Sequence, residues 1–227
     1  MGQFVKVTSQ NNHTFNLYVA QPRGTAKGAV VICPEIFGIN SHIQSVADRY
    51  AEQGYAAFAP ALFDRVEKDY VAGYEKADIE AGVAIMQKIS LETAITDTAA
   101  AVEYARQSHA KVAVMGYCWG GTVAWRAAAD ISGISAAICY YPGGLAANAD
   151  SQPKCPTMLH LGENDQSPPA DKAREVLKGH PMAIAYFYEA GHGFNCDQRG
   201  SYHADSSAMA TERSLAFLGL ASARWMR

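Results

Sequence analysis

The sequence predicts an α/β protein built on a mainly parallel, doubly wound sheet with helices on both faces. Three observations lead to this prediction. Short apolar segments alternate with segments of helical periodicity along most of the 227 residues. One strand-to-helix junction, at residues 116–120, carries the pattern Gly-x-Cys-x-Gly. An acidic side chain and a histidine each follow a later strand, at the edge where such sheets bind ligands.

The individual elements are delimited by local signals. Asn11 and Asn12 lie between two short strand patterns and predict an opening β-hairpin. Gly54 ends the first helix, Pro60 ends the strand after it, and the helical periodicity of residues 79–107 is interrupted near Ser90. The remaining expectations are strands at 4–8, 15–20, 29–33, 55–59, 112–115, 136–140, 157–161 and 183–188, and helices at about 41–53, 121–129, 169–178 and 206–218.

Length and composition indicate one domain, residues 1–227, with a sizeable core. Apolar residues make up 49% of the chain, charged residues 18%, and the net charge is −3. That balance gives no electrostatic reason to expect nucleic acid or a membrane surface as a partner. No apolar run is long enough to span a membrane, and the first residues lack a basic-then-apolar signal segment. The five cysteines form no C-x-x-C pair, which favours a reducing cytoplasm without disulfides or zinc.

The junction at residues 116–120 reads Gly-Tyr-Cys-Trp-Gly and is typical of a nucleophile elbow, with cysteine in place of serine. A sharp turn from strand to helix strains the central residue and crowds its neighbours, so glycine is needed on both sides. The helix N-terminus favours a thiolate on Cys118. A small buried hydrophobe is the alternative role for such a cysteine. A phosphate-binding loop is set aside, because Thr122 follows Gly121 with no lysine between them.

Two later strands end in residues that would complete a catalytic triad. Residues 157–161 run into a polar turn with Asp165, and residues 183–188 run into a glycine-framed His192. Taken singly, the acid could cap a turn and the histidine could be a solvated loop residue. Nucleophile, acid and histidine nevertheless follow in the chain order of elbow-type hydrolases. In such a triad Cys118 attacks, His192 accepts the thiol proton, and Asp165 fixes the imidazole.

With these motifs, the chain resembles the dienelactone hydrolase (carboxymethylenebutenolidase) family of the α/β-hydrolase fold over nearly its whole length. The resemblance implies that Cys118, Asp165 and His192 are the triad. It also implies an oxyanion hole made by the backbone N–H groups of Ile36 and Trp119, as in other elbow hydrolases. The matching segments are residues 34–40 (Pro-Glu-Ile-Phe-Gly-Ile-Asn), 116–121, Gly162-x-x-Asp165, and 190–194 (Ala-Gly-His-Gly-Phe).

The resemblance further implies that the carboxylate of Glu35 lies near the thiol and modulates it until substrate arrives. A solvated loop acid is the alternative for Glu35. Residues 60–78 are either a mobile cover of the pocket or a surface connection with buried aromatics. Phe37, Tyr74 and Arg199 are expected to contact substrate.

The family resemblance also implies arginines that hold a substrate carboxylate, and this chain departs from that pattern. No arginine lies between Asp69 and Lys88, Arg65 comes earlier in the chain, and Arg199 follows His192 at a longer spacing. Lysine lacks the planar fork with which arginine clamps a carboxylate. The substrate expected from the sequence is therefore an ester or lactone for which a carboxylate is not required.

The function predicted from these residues is hydrolysis of a small lactone or carboxylic ester through a thioacyl-enzyme intermediate. We expect no metal or organic cofactor, and a monomer or a weak homodimer. A broad carboxylesterase or thioesterase is the alternative among enzymes. A binding or redox-sensing module, in which the cysteine is oxidised rather than acylated, is the alternative from another class.

Overall fold

The structure, a computed structural model, describes residues 2–223 and contains eight strands and six α-helices within that range. The strands are β1 (Gln3–Thr8), β2 (Thr14–Ala20), β3 (Ala29–Cys33), β4 (Ala56–Pro60), β5 (Val112–Tyr117), β6 (Ala137–Tyr140), β7 (Thr157–Gly162) and β8 (Ala183–Tyr188). The helices are α1 (Ser41–Glu52), α2 (Lys76–Met86), α3 (Leu91–Arg106), α4 (Trp119–Asp130), α5 (Ala170–Leu177) and α6 (Ala204–Ala223).

The fold consists of two compact units, Met1–Val112 and Ala113–Arg227. In the first unit the strand order is β1-β2-β4-β3. Strands β1 and β2 form the expected antiparallel hairpin, β2 pairs antiparallel with β4, and β4 pairs parallel with β3. Both β3 and β4 are buried along their whole length, as parallel strands covered on both faces are.

The second unit has a purely parallel sheet in the order β5-β6-β7-β8. Every residue of β5, β6 and β7 is buried. Because all four strands point the same way, the residues that follow them emerge at one edge of this sheet. Cys118, Asp165 and His192 all follow such strands, so the topology of this unit brings their loops to the same edge.

The α/β class and the mainly parallel pairing are confirmed, and the element boundaries differ from expectation at a few ends. Helix α4 begins at Trp119, two residues earlier than expected, because Cys118 is the single residue between the end of β5 and the start of the helix. Helix α6 begins at Ala204, where the ring of His203 accepts the N–H of Ser206 and caps the first turn. Within residues 2–223, no helix is both long and apolar enough to cross a membrane. The single domain stays a prediction.

Candidate active site

Cys118 occupies a strained backbone position between β5 and α4. Its φ is 55° and its ψ is −118°, a region that non-glycine residues rarely adopt. The turn is so tight that a Cβ on Gly116 would lie 1.9 Å from the carbonyl oxygen of Gly120. The Cys118 N–H donates to the carbonyl of Tyr140 at the end of β6 (3.0 Å). The glycine pattern in the sequence therefore has the steric cause that we expected.

Cys118 differs from the other four cysteines in its exposure. It is half-buried, whereas Cys33, Cys139, Cys155 and Cys196 are buried. Burial raises the pKa of the Cys33 thiol to about 12 and that of Cys155 to about 11, so neither forms a thiolate readily near neutral pH. Helix α4 begins directly after Cys118, which places the positive end of the helix dipole at this residue.

Asp165 and His192 are joined by a hydrogen bond. The Nδ1 atom of His192 lies 2.9 Å from Oδ2 of Asp165, whose side chain is fully buried. The other carboxylate oxygen, Oδ1, accepts the backbone N–H of Ser167 (2.7 Å). Both oxygens of Asp165 are thus engaged, and the carboxylate is held in one orientation against the imidazole.

The electrostatic environment of His192 favours its protonated form. Burial is the largest influence on the His192 pKa and lowers it, but the charge of Cys118 and the hydrogen bonds to Asp165 and Cys118 together raise it to about 10. The Cys118 side chain therefore interacts with the same imidazole that Asp165 holds. This arrangement supports a thiolate–imidazolium pair, which supplies a nucleophile and an acid at the same time.

In the first unit, the loop after β3 carries Glu35, Ile36 and Phe37. Glu35 is only 1% exposed, so it is not a solvated loop acid. A carboxylate oxygen of Glu35 lies within 4.8 Å of a ring nitrogen of His42, a fully buried residue of α1 that our sequence analysis did not single out. Ile36 is 7% exposed. The roles of Glu35 and Ile36 at the nucleophile stay predictions.

Residues 60–78 are attached to this loop by hydrogen bonds. Gly38 forms an isolated antiparallel bridge with Val71, and the Ala72 N–H donates to the Phe37 carbonyl (3.1 Å). The approach at Gly38 is close: its φ is +69°, and a Cβ there would lie 2.0 Å from the carbonyl oxygen of Tyr70. Both structural features require glycine at this position.

Asn40 holds three parts of the first unit together, and sequence reasoning did not identify this role. Its Oδ1 accepts the Ile43 N–H (3.2 Å) and caps α1. Its Nδ2 donates to the Ala72 carbonyl (3.2 Å) and to the Tyr74 hydroxyl (3.0 Å). The rings of Tyr74 and Phe37, both expected to contact substrate, pack edge to face at 4.7 Å. Phe37 is buried, only 1% exposed, whereas Tyr74 is half-buried and is held by Asn40.

The two arginines considered as carboxylate clamps lie in different settings. Arg65 makes a bidentate ion pair with the fully buried Asp97, in which its Nε and Nη2 atoms each lie 2.7 Å from a carboxylate oxygen. It also donates to Asn11. The Arg65 guanidinium is therefore already engaged by residues of the first unit. Arg199 lies against the backbone beside His192, because a Cβ on Gly193 would be 2.6 Å from its Nη1 atom.

The comparisons with known proteins agree on one family. Residues 15–222 match the model of the dienelactone hydrolase family. A carboxymethylenebutenolidase of Pseudomonas putida is 32% identical over 94% of each chain. Carboxymethylenebutenolidase 1 of Cupriavidus pinatubonensis is 29% identical, over 95% of this chain and 96% of its own.

Solved structures show the same fold. A crystal structure from Klebsiella pneumoniae, assigned as a dienelactone hydrolase, superposes with a TM-score of 0.84 at 26% identity, over 96% of this chain and 98% of its own. The esterase Est1E of Butyrivibrio proteoclasticus reaches a TM-score of 0.69 at 14% identity, over 96% of this chain and 99% of its own. The similarity to Est1E concerns the fold alone.

Proposed function

Because the chain belongs to the dienelactone hydrolase family and is a hydrolase of carboxylic esters and lactones, we propose that it works through a cysteine triad. Cys118 is the nucleophile, His192 carries the proton, and Asp165 orients His192. The observation that supports this proposal best is geometric: the His192 imidazole is held 2.9 Å from Asp165, and Cys118 occupies the strained turn before α4 and interacts with the same imidazole.

The proposed reaction has two stages. The Cys118 thiolate attacks the carbonyl carbon, and as the C–O bond breaks the His192 imidazolium donates its proton to the leaving oxygen. The acid portion remains on Cys118 as a thioester. Neutral His192 then takes a proton from water, the resulting hydroxide adds to the thioester, and the thiolate leaves with the imidazolium restored. A lactone is opened without losing any atoms, since its acid and alcohol ends belong to one molecule.

The proposed oxyanion hole consists of the backbone N–H groups of Trp119 and Ile36. Trp119 is the first residue of α4, directly after the nucleophile, which is the position that an elbow hydrolase uses. Ile36 lies in the loop after β3, the usual source of the second donor. Donors of this kind stabilise the negative oxygen of the tetrahedral intermediate, and loss of one typically costs about 10²-fold or more in kcat.

We also propose that Glu35 shifts the resting Cys118–His192 equilibrium toward the protonated thiol, so that the thiolate–imidazolium pair forms fully only when substrate arrives. Its burial and its proximity to His42 support a role other than that of a solvated acid. A carboxylate near a thiolate disfavours the anion, because like charges repel where water is scarce. In Glu35→Gln, alkylation of Cys118 by iodoacetamide near neutral pH should accelerate while ester turnover falls. An unchanged alkylation rate across the pH range would show that Glu35 only braces its loop.

The proposed substrate is a small ester, with a lactone as the first choice because both relatives named above are carboxymethylenebutenolidases. The half-buried ring of Tyr74, which packs on the buried Phe37, would contact its apolar part. We further propose a monomer or weak homodimer in a reducing cytoplasm, without nucleic acid or a membrane as partner. The five free cysteines and the net charge of −3 support that setting.

Turnover of p-nitrophenyl acetate and of a panel of lactones tests the proposal. Cys118→Ala should abolish turnover while the circular dichroism spectrum stays unchanged. Cys155→Ala is the matched control, because it removes a buried thiol of the same unit and should leave turnover intact. Wild-type turnover in a folded Cys118→Ala variant would refute the cysteine mechanism. A protein that is alkylated at Cys118 but hydrolyses no ester or lactone would support the redox-sensing alternative instead.

A further inference from the structure

Tyr141 follows β6 in an unusual backbone conformation. Its φ is +36°, which bulky residues rarely adopt and which costs on the order of 1–3 kcal/mol. The residue is nevertheless fully buried. Its N–H donates to the carbonyl of His160 in β7 (2.7 Å), and the preceding carbonyl, of Tyr140, accepts the N–H of Cys118. The strained turn is therefore built into the same sheet edge as the nucleophile elbow.

The side chain of Tyr141 lies next to the histidine of the proposed triad. Its ring centroid is 5.0 Å from that of His192, with the two planes inclined at 60°. The ring also packs against Phe194, two residues further along the same loop, at 5.4 Å. A backbone in the usual extended region would send the Tyr141 side chain in another direction. The costly conformation is what brings this ring to the imidazole.

We propose that Tyr141 is a positioning residue that holds the His192 imidazole in the orientation in which it bridges Asp165 and Cys118. This inference rests on the proposed cysteine triad. One side of the imidazole is fixed by the Asp165 hydrogen bond, which still allows the ring to rock about that bond. A rigid aromatic ring packed beside it removes this freedom.

The ordinary explanation for a buried tyrosine is core packing, and it makes a different prediction. A ring that only fills space contributes to the free energy of unfolding, and its loss lowers the melting temperature without a specific effect on kcat. A positioning ring affects kcat and the protonation of His192, because a small misplacement of a catalytic group can cost up to about 10²-fold in rate. Thermal stability and kinetics therefore separate the two explanations.

The experiment compares Tyr141→Phe, Tyr141→Leu and Tyr141→Asn with Phe58→Leu, which removes a buried ring from the first unit. We expect Tyr141→Phe to keep kcat within about threefold, since the ring remains. Tyr141→Leu should lower kcat by roughly tenfold or more with little change in KM. It should also shift the rise of Cys118 alkylation by iodoacetamide to higher pH, because an imidazolium that is no longer held in place stabilises the Cys118 thiolate less. Phe58→Leu should lower the melting temperature and leave both kinetic readouts unchanged.

Tyr141→Asn serves as a second variant without the ring, because asparagine tolerates a positive φ and adds no backbone strain. A wild-type kcat and alkylation profile in either folded variant that lacks the ring would overturn the inference. If neither variant folds, the absence of a nuclear Overhauser contact between the Tyr141 and His192 rings in the wild type would overturn it. An active Cys118→Ala enzyme would refute the proposed function itself, an outcome distinct from a normal Tyr141→Leu enzyme.

Discussion

His192 Nδ1 lies 2.9 Å from Asp165 Oδ2, although 26 residues separate the two in the chain. The two residues follow β7 and β8, which are neighbours in a parallel sheet and end at the same edge. Asp165 is fixed further by the Ser167 N–H. A carboxylate held at two points is a rigid support for an imidazole, so this contact has measurable consequences for the proposed chemistry.

Asp165→Asn should lower kcat/KM for p-nitrophenyl acetate by roughly 10³-fold or more. The amide keeps the shape of the carboxylate but can stabilise neither the imidazolium nor the correct tautomer. Glu163→Gln is the control in the same turn, because the Glu163 side chain forms a surface ion pair with Arg174. We expect this control to retain wild-type activity. A loss of less than tenfold in Asp165→Asn would show that Asp165 does not orient His192.

The pH dependence of activity should reflect the raised pKa of His192, about 10. Because the pKa is raised, the imidazolium that pairs with the Cys118 thiolate keeps its proton below about pH 10 and loses it above. The alkaline limb of kcat/KM should therefore fall near pH 10. In Cys118→Ala, a nuclear magnetic resonance titration should give a lower His192 pKa, since the thiolate charge is gone. A wild-type kcat/KM that already falls near pH 6.5, the ordinary pKa of histidine, would contradict the ion pair.

The sequence predicted those parts of the site that depend on local steric rules and chain order. The tight turn at Gly116 leaves a pattern in neighbouring residues, and Asp165 and His192 each follow a recognisable strand. The contacts of Asn40, His42 and Tyr141 left no such pattern, because their partners are distant in the chain or depend on a single backbone angle.

Asn40→Asp should loosen the attachment of residues 71–74 to the loop after β3. Aspartate keeps the oxygen that caps α1 and can accept from the Tyr74 hydroxyl, but it has no donor for the Ala72 carbonyl. At about 1 kcal/mol for the lost hydrogen bond to Ala72, local opening should become roughly fivefold more frequent. Hydrogen exchange of the Ala72 amide, which donates to the Phe37 carbonyl, reports this opening directly.

Asn40→Ser is the companion variant, because serine also caps a helix and introduces no charge. Both variants should accelerate Ala72 exchange to a similar extent and raise KM more than they lower kcat. Unchanged exchange in both would mean that the Asn40 donor does not hold the segment, and that the bridge between Gly38 and Val71 is sufficient by itself.

Arg65→Met should destabilise the protein without changing its substrate preference. The side chain pairs with the fully buried Asp97, and removing one partner of a buried ion pair typically costs about 3–5 kcal/mol of unfolding free energy. Urea denaturation measures that loss. The kcat/KM ratio for a carboxylate-bearing ester and its neutral counterpart should stay as in the wild type, because the arginine fork is already occupied.

The same substrate pair tests whether the chain has a carboxylate clamp at all. We expect the two esters to differ by less than about tenfold in kcat/KM. A preference for the anionic ester of about 100-fold or more, abolished in Arg199→Met, would show that the guanidinium beside Gly193 acts as the clamp.

The most direct test of the cysteine mechanism is the identity of the residue that becomes acylated. The enzyme is mixed with p-nitrophenyl acetate, quenched with acid during turnover, digested, and mapped by mass spectrometry. The account predicts one acetyl group on the peptide that carries Cys118, removable by neutral hydroxylamine as a thioester is. An acetyl group on another residue, or turnover with no acetyl group on Cys118, would contradict it.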